Sequence, residues 1–314
     1  MKNSEILDKL QKNFFGVNSL KTGGQMNPTQ SARFIQMMKD EPTILNDART
    51  VRMNSDNQTF DKIGFGQRVL RSAEEFTELP EDQRVKPSTG KVSLSAKEVI
   101  AEVNISDDTI ENNIEDNNIT DTIVKLLAQQ AALDVEELII NGDVDSADSY
   151  LALIDGLLKQ TQSHIVDLEG AALTKEAFKN AIKVVPSRYR KRITDNNFYI
   201  SHNNVMEWKD SIVGRQTALG DNTLVTGGHP NAYGAPVKGC ANLNPFDFGA
   251  EGAEVSNGIF VHPKNIMVGV SRDIRIEMER SITRRGYIFV LTMKLDAKYE
   301  EEEAVSKIIN IKED

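Results

Sequence analysis

Four histidines, one cysteine and an aspartate-rich loop are the residues of this chain best suited to chemistry. His164, His202, His229 and His262 are too far apart along the chain to form the three-to-five-residue pairs that zinc sites of the HExxH kind use. Asp143, Asp145 and Asp148 begin like a calcium loop. Counting from Asp143, however, Asp148 falls where such a loop needs glycine and Ile154 falls where it needs glutamate. The GFG at Gly64–Gly66 runs into QRVL without a third glycine, and neither GxxxxGK[ST] nor GxSxG occurs. Carboxylates are plentiful, but the sequence shows no pair poised for acid/base work. Cys240 is alone, so there is no internal disulfide framework. These patterns imply no cofactor and no metal, and catalysis has no foothold in them.

The charge balance points the same way. The net charge of -10 sets 47 acidic against 37 basic residues, so the molecule as a whole repels phosphate backbones. The basic knot Arg188, Tyr189, Arg190, Lys191, Arg192 is the best local candidate for nucleic acid, with a salt-bridged surface as its bland reading. Mean hydropathy of -0.40 and 39% hydrophobic residues describe a chain that buries a core in water. The first twenty residues lack the apolar run of a signal peptide, and no stretch is apolar enough for a membrane helix.

The elements that must position any site are long. Ile119, Ile123, Leu126, Leu127, Ala131, Val135, Leu138 and Ile139 recur at threes and fours, which predicts one side of a long helix facing a sheet. Asp107, Asp108 and Glu111 suit a first cap, Asn117 or Thr120 a restart, and Gly142 a left-handed stop. About 25 residues at 1.5 Å each give a spine of roughly 37 Å.

Ahead of the spine, residues 1–45 are largely polar, include one short amphipathic candidate, SARFIQMMKD, whose Phe34, Ile35, Met37 and Met38 cannot build a core alone, and read as an arm laid on something else. The strand-prone runs Asp47–Arg71 and Lys91–Ser106 flank a charged connector and predict one long hairpin. Fifteen residues of strand reach roughly 50 Å, against a radius of gyration near 20 Å for a globule of this length. The arm should therefore project and pair with neighbours, because two-stranded ribbons are marginal alone and their edges are open.

Beyond the spine the pattern is mixed. TKEAFKNAIKVV predicts a helix capped by Thr174 and closed by Pro186, NNFYIS a buried strand, and NVMEWKDSIV a second helix. The glycine- and proline-bearing stretch 214–258 reads as loop. At the end, Ile274, Ile276 and Met278 alternate with charges, and Tyr287, Phe289, Leu291, Met293 and Leu295 share one face. Two long antiparallel strands with SITRRG as their turn follow.

The order of these features resembles the tailed-bacteriophage major capsid proteins of the Hong Kong 97 type. The residues that carry it are EVNISDDTIENN leading into LLAQQAALDVEELIINGD, VVPSRYRK followed by NNFYIS, VGRQTALGDNTLV with YGAPVKG, and NGIFVHPKNIMVGVSRDIRIEMER. The likeness runs from Asp47 to Ile311. It implies an α+β capsid fold with an N-terminal arm over 1–45, an extended E-loop hairpin over 46–105, and an axial domain over 145–267. A peripheral domain would be split between 106–144, with the spine, and 268–314, with the long strands.

The resemblance further implies a non-enzymatic shell protein that assembles as pentamers and hexamers around the double-stranded DNA of a tailed phage. DNA contacts would be non-specific, a separate scaffolding protein and a portal would be partners, and no membrane is involved. Assembly would occur in the bacterial host cytoplasm and the product would be the virion capsid. Contacts between subunits are expected at the hairpin tip, from Glu74, Glu75, Glu78, Glu81 and Asp82 against Arg71, Arg84 and Lys86, and at Arg284 and Arg285 in the last turn. An encapsulin shell and a metal-dependent hydrolase are the alternatives.

Overall fold

A computed structural model of the chain describes residues 42–65, 68–70, 72, 78, 80–81, 84–106, 119–213, 229–243 and 255–313. Residues 1–41 of the arm, the helix caps at 107–118 and residues 214–228 and 244–254 of the loop fall outside them, whereas Ile44 and Leu45 at the end of the arm are buried in the body.

In chain order the elements are α1 (Thr43–Asp47), β1 (Arg49–Arg52), β2 (Asn57–Gly64), β3 (Ser88–Ser95), β4 (Lys97–Ser106), the spine α2 (Ile119–Asn141), α3 (Leu157–Gln160) and β5 (Ile165–Asp167). There follow α4 (Lys175–Val184), β6 (Asn197–Ile200), α5 (His202–Val213), β7 (Asn231–Ala232), β8 (Ala235–Gly239), β9 (Val255–Val261), β10 (Ile266–Ser281), β11 (Gly286–Tyr299) and β12 (Ser306–Lys312).

Three sheets result. A long four-stranded sheet runs β1-β10-β11-β4, a six-stranded one runs β5-β12-β9-β6-β8-β7, and β2 pairs with β3 alone.

The spine has 23 residues, about 34 Å at 1.5 Å each. It buries Val124, Leu127, Ala128, Ala131, Val135 and Leu138 in one core with Phe289, Leu291, Met293 and Leu295 of β11. The expected face is therefore rotated slightly: Leu126 lies off this stripe and is 60% exposed, while Ile123 is only partly buried.

Gly142 ends the helix for a reason other than a left-handed backbone, since among the described glycines only Gly170 and Gly234 have positive φ. A Cβ on Gly142 would lie 2.5 Å from the carbonyl oxygens of Leu138 and Ile154. Gly156 approaches from the other side, its N–H donating to the Gly142 carbonyl at 2.7 Å. The glycine is needed for close packing of two backbones, which lets the chain double back under the helix end.

The hairpin expectation is corrected in length and partnership. Its first run divides into β1, parallel to β10, and β2; its second divides at Ala96 into β3 and β4. β4 runs antiparallel to β11 as a member of the long sheet, because Val99 and its neighbours share the spine's core. What remains as ribbon is β2 with β3, eight residues each, or about 27 Å.

The two faces of the long sheet divide the work. On β10, Ile266 and Val268 face the spine, while Met267 joins Met53, Val92, Leu94 and Ala96 in a small second cluster under the ribbon's root. Gly269 has no side chain because a Cβ there would meet Met53 Sδ at 2.7 Å and Leu94 Cδ1 at 2.8 Å.

The six-stranded sheet carries α4 and α5. Phe178, Trp208, Phe198 and Phe260 form its aromatic centre, with Phe178 and Phe198 edge to face at 4.8 Å. Thr174 sits at the start of α4, but its carbonyl rather than its hydroxyl receives the first helical N–H groups. Within the stretch read as loop, residues 229–243 are partly core: Ala232, Ala235, Val237, Cys240 and Leu243 are buried.

Leu127→Asp or Leu138→Asp, each placing an unpaired carboxylate against the long sheet, should lower stability by several kcal/mol. Leu126→Asp should stay within about 0.5 kcal/mol. Urea unfolding of the three variants measures the contrast, and equal losses would contradict this helix orientation.

Candidate assembly interface

The ribbon is positioned by polar ties as well as by the cluster at its root. The Ser95 N–H donates to Asp296 Oδ2 at 2.6 Å. Asp296 is buried, and that burial raises its pKa. Asp56 accepts from Lys294 Nζ and from Ser271 Oγ, both at 2.6 Å. The lysine bond holds its carboxyl below the usual value.

At the far end, Lys62 lies across from Gly90 in the β2–β3 register. It reaches the Glu300 carbonyl at 2.5 Å and Glu301 Oε2 at 3.0 Å. A Cβ on Gly90 would press on the lysine stem at 2.9 Å. The described ribbon is thus tied to its own body at root and far end, rather than projecting freely as its length in sequence suggests.

A second set of ties fixes the chain where residue 42 enters the body. Glu136, on the spine and only 2% exposed, accepts the N–H groups of Ile44 and Leu45 on Oε1 at 2.6 and 3.3 Å. Its Oε2 accepts from Asn242 Nδ2 at 3.4 Å and Cys240 Sγ at 3.6 Å. The carboxylate therefore caps α1 from another element and links the spine to the segment after β8. Burial raises its pKa, against the lowering effect of the N–H donors, and burial raises the Cys240 thiol well above its ordinary value.

At the other end of α1, Asp47 Oδ2 accepts from Lys238 Nζ at 2.5 Å and from the Tyr199 hydroxyl at 2.7 Å. Sequence reading missed this clasp, because residues such as Glu136 and Asn242 acquire their meaning only when distant segments meet.

Of the expected contact residues, Arg71, Glu74, Glu75 and Asp82 lie outside the described residues. Glu78 pairs with Arg84 of the same chain at 3.0 Å, both exposed. The Glu81 carbonyl accepts the Arg84 N–H at 3.3 Å, and Lys86 is exposed. Arg284 stands 3.8 Å from Glu102 on the neighbouring strand, and Arg285 supplies the turn's positive φ of 48°. These exposed pairs orient more than they stabilise.

The loop that looked like a calcium site is occupied by its own cation. Lys159 Nζ contacts Asp143, Asp145 and Asp155, and its bond to Asp143 lowers that carboxyl's pKa. Among the described residues no three His, Cys, Asp or Glu side chains are grouped to hold a metal, and no helix is long and apolar enough to cross a membrane. In the basic knot, Arg188 pairs with Glu303 and lies over the Tyr189 ring at 4.6 Å.

A spine helix on a long antiparallel sheet, a clamped ribbon and a second α/β body together define the Hong Kong 97 type of shell-protein fold. Solved structures agree. The satellite phage P4 procapsid including size determination (Sid) protein matches with a TM-score of 0.64, at 14% identity over 99% of this chain and 98% of that one. The SrpI encapsulin of Synechococcus elongatus PCC 7942 matches at 0.58, with 8% identity over 86% of this chain and 87% of that one, a likeness of fold alone.

The chain belongs to the phage capsid family, which it matches over residues 23–307. It is 51% identical, over 316 residues and the full length of both chains, to the putative prophage capsid protein YqbE of Bacillus subtilis (strain 168). It is a structural major capsid protein, a self-assembling subunit of the virion shell.

The Glu136 clasp generates a pH prediction. The carboxyl's ordinary value is 4.5 and burial raises it in the folded chain. Between those values the folded chain holds a proton that the unfolded chain has released. The stability contributed by the neutral form is complete below the ordinary value and is lost as pH rises through the raised one. Glu136→Gln keeps an acceptor for the two N–H groups and cannot ionise, so from about pH 5 to pH 8 the natural chain should lose stability relative to it. Glu136→Ala, which strands the N–H groups, should cost about 1–3 kcal/mol. Urea unfolding at both pH values reads all three, and identical pH profiles for the natural chain and the glutamine variant would refute the assignment.

Proposed function

We propose that this subunit forms pentamers and hexamers that close into the icosahedral head around the double-stranded DNA of a tailed phage. Assembly takes place in the host cytoplasm with a separate scaffolding protein and a portal. The observation that carries this reading is full-length similarity to a prophage capsid protein together with a clamped ribbon whose connecting segment is strongly charged. The P4 procapsid structure includes a size-determination protein, which supports a separate assembly partner here. Contacts with DNA are non-specific, in keeping with a net charge of -10.

In this reading residues 1–45 are the N-terminal arm, 46–105 the E-loop, 106–144 with 268–314 the peripheral domain, and 145–267 the axial domain whose loops near 214–233 meet at capsomer centres. β4 belongs functionally with the peripheral sheet despite lying inside the E-loop range, since it pairs with β11. Tip charges at Arg71, Glu74, Glu75, Glu78, Glu81, Asp82, Arg84 and Lys86, and Arg284 with Arg285 at the last turn, set register between neighbours. A single contact of micromolar strength is about 8 kcal/mol, and several per subunit in a closed shell make loss of one subunit very slow.

Replacing residues 66–87 by an Asn-Gly turn should leave β2 and β3 paired, because their register begins at Gly64 and Ser88. The variant should fold with unchanged thermal stability and fail to close shells in negative-stain microscopy. Normal particles from it would reject the proposed role of the hairpin tip.

A further inference from the structure

The core stripe of the spine leaves another side of α2 uncovered. Leu126 and Leu133 are 60% and 37% exposed. Seven residues apart, they lie within about 20° of each other on a helix of 3.6 residues per turn, so they form one apolar line rather than two scattered contacts. Glu137, half-buried, continues that line one turn further on. Glu136 lies beside it, about 60° round the helix from Leu133, on the border with the core.

Glu136 is also where the chain ahead of α1 arrives. Its carboxylate accepts the Ile44 and Leu45 N–H groups, so the N-terminal end of α1 points at the spine at that level. Thr43 Oγ1 donates to the Gly239 carbonyl at 3.0 Å and fixes the same end. Whatever precedes Pro42 therefore starts about one turn of the spine from Leu133.

The segment that precedes it has a matching pattern. In residues 31–40, SARFIQMMKD, the side chains of Phe34, Ile35, Met37 and Met38 fall on one side of a 3.6-residue helix, with Arg33, Gln36, Lys39 and Asp40 on the other. Ten residues of helix measure about 15 Å, which is also the rise along α2 from Glu136 to Leu126. Only Glu41 stands between the segment and Pro42, and a residue before proline is pushed out of the helical region. The chain can turn there and run back along the spine.

Charge agrees with shape. Burial and the carboxylates of Asp134 and Asp148 raise the pKa of Glu137. Among the described residues no lysine or arginine forms an ion pair with any of the three. Lys39, at the near end of the segment, supplies that missing cation.

We propose that residues 31–40 form a helix antiparallel to α2 of the same chain, with Phe34, Ile35, Met37 and Met38 covering Leu126 and Leu133 and Lys39 against Glu137. The inference goes beyond the shell reading, since it concerns one subunit and holds whether or not shells close. The chain's own segment is favoured over that of a second copy because a single residue tethers it to an anchored end, which gives it a high local concentration. Ordering ten residues costs backbone freedom that offsets most of what four apolar side chains gain on burial. Urea unfolding therefore reads little of the docking, in keeping with the small change expected for Leu126→Asp. Contact itself has to be measured.

Thiol cross-linking of the full-length chain does so, since the natural Cys240 is buried. Phe34→Cys with Leu126→Cys in one chain should close an intrachain disulfide under mild oxidation. Phe34→Cys with Lys125→Cys, whose partner is one residue away and about 100° round the helix, should not. Equal yields from the two pairs would describe a loose segment, and no link from either would place it elsewhere; both results overturn the proposal. Phe34→Cys and Leu126→Cys on separate chains, co-expressed, should stay unlinked. Disulfide-linked dimers from that mixture, with no intrachain link in the doubly substituted chain, would assign the site to a second copy and reject docking within the chain.

Peroxide footprinting tests the natural chain without any substitution. Met37 and Met38 should oxidise roughly fivefold more slowly than the exposed Met206, because oxidation follows access to the sulfur. Leu126→Asp with Leu133→Asp should bring all three to one rate. Equal rates in the natural chain refute the docking, and protection that survives the double substitution means that something other than the spine covers these methionines.

Discussion

A carboxylate held on the spine helix, away from water, fixes how the parts of this subunit meet. Glu136 receives two backbone N–H groups from α1 and the side chains of Asn242 and Cys240 from the segment after β8. Apolar packing around the spine supplies far more free energy, but it is tolerant of small slides. A buried acceptor with specific donors is less tolerant, since a displaced helix leaves the carboxylate or the N–H groups unpaired in a dry site. The clasp at Asp47 works from the other end of the same short helix. Residues 43–47 are thereby held from both sides before the chain enters β1.

The long sheet depends on that fixed entry and uses each face differently. One face covers the spine. The other carries the small cluster of Met53, Val92, Leu94, Ala96 and Met267, which a ribbon of two strands needs because such a ribbon is marginal alone. Gly269 permits that cluster, and Asp296 and Asp56 tie the ribbon's root beside it. With Lys62 bound at the far end, the described ribbon is held by the body at both ends.

How much of this was legible follows from the range of each signal. The spine and β11 repeat one pattern for 14 residues or more, so periodicity found them and the burial of Phe289, Leu291, Met293 and Leu295 agrees with it; in β10 periodicity found only the half around Ile274, Ile276 and Met278, because the register shifts between Val270 and Arg275. β4 alternates just as clearly, yet alternation says only that one face is covered, not which strand is its partner; continuity with Lys91 suggested the hairpin and the register with β11 decided otherwise. Gly142 looked like a left-handed stop because local rules know only the helix, whereas its role is set by Gly156 and Ile154 from the returning chain. Asp143 and Asp145 had the look of a cation site and lacked a visible cation until Lys159 came into reach. Glu136 and Asn242 gave no sign at all, since a single polar residue on an apolar face is ordinary until its donors arrive from elsewhere.

The same distribution of polar groups suits a shell subunit. An enzyme concentrates uncommitted polar side chains at one place, where substrate completes them. Here Lys159 is spent on three aspartates, Asp56 on Lys294 and Glu136 on α1. The ties at Asp56 and Glu136 join segments far apart in sequence, the Lys159 tie closes a local loop, and each removes one way for the subunit to bend. A closed shell asks for that property. An angular error at one contact is repeated at every copy around a ring, so contacts of modest strength close the shell only when the subunit that presents them holds its shape.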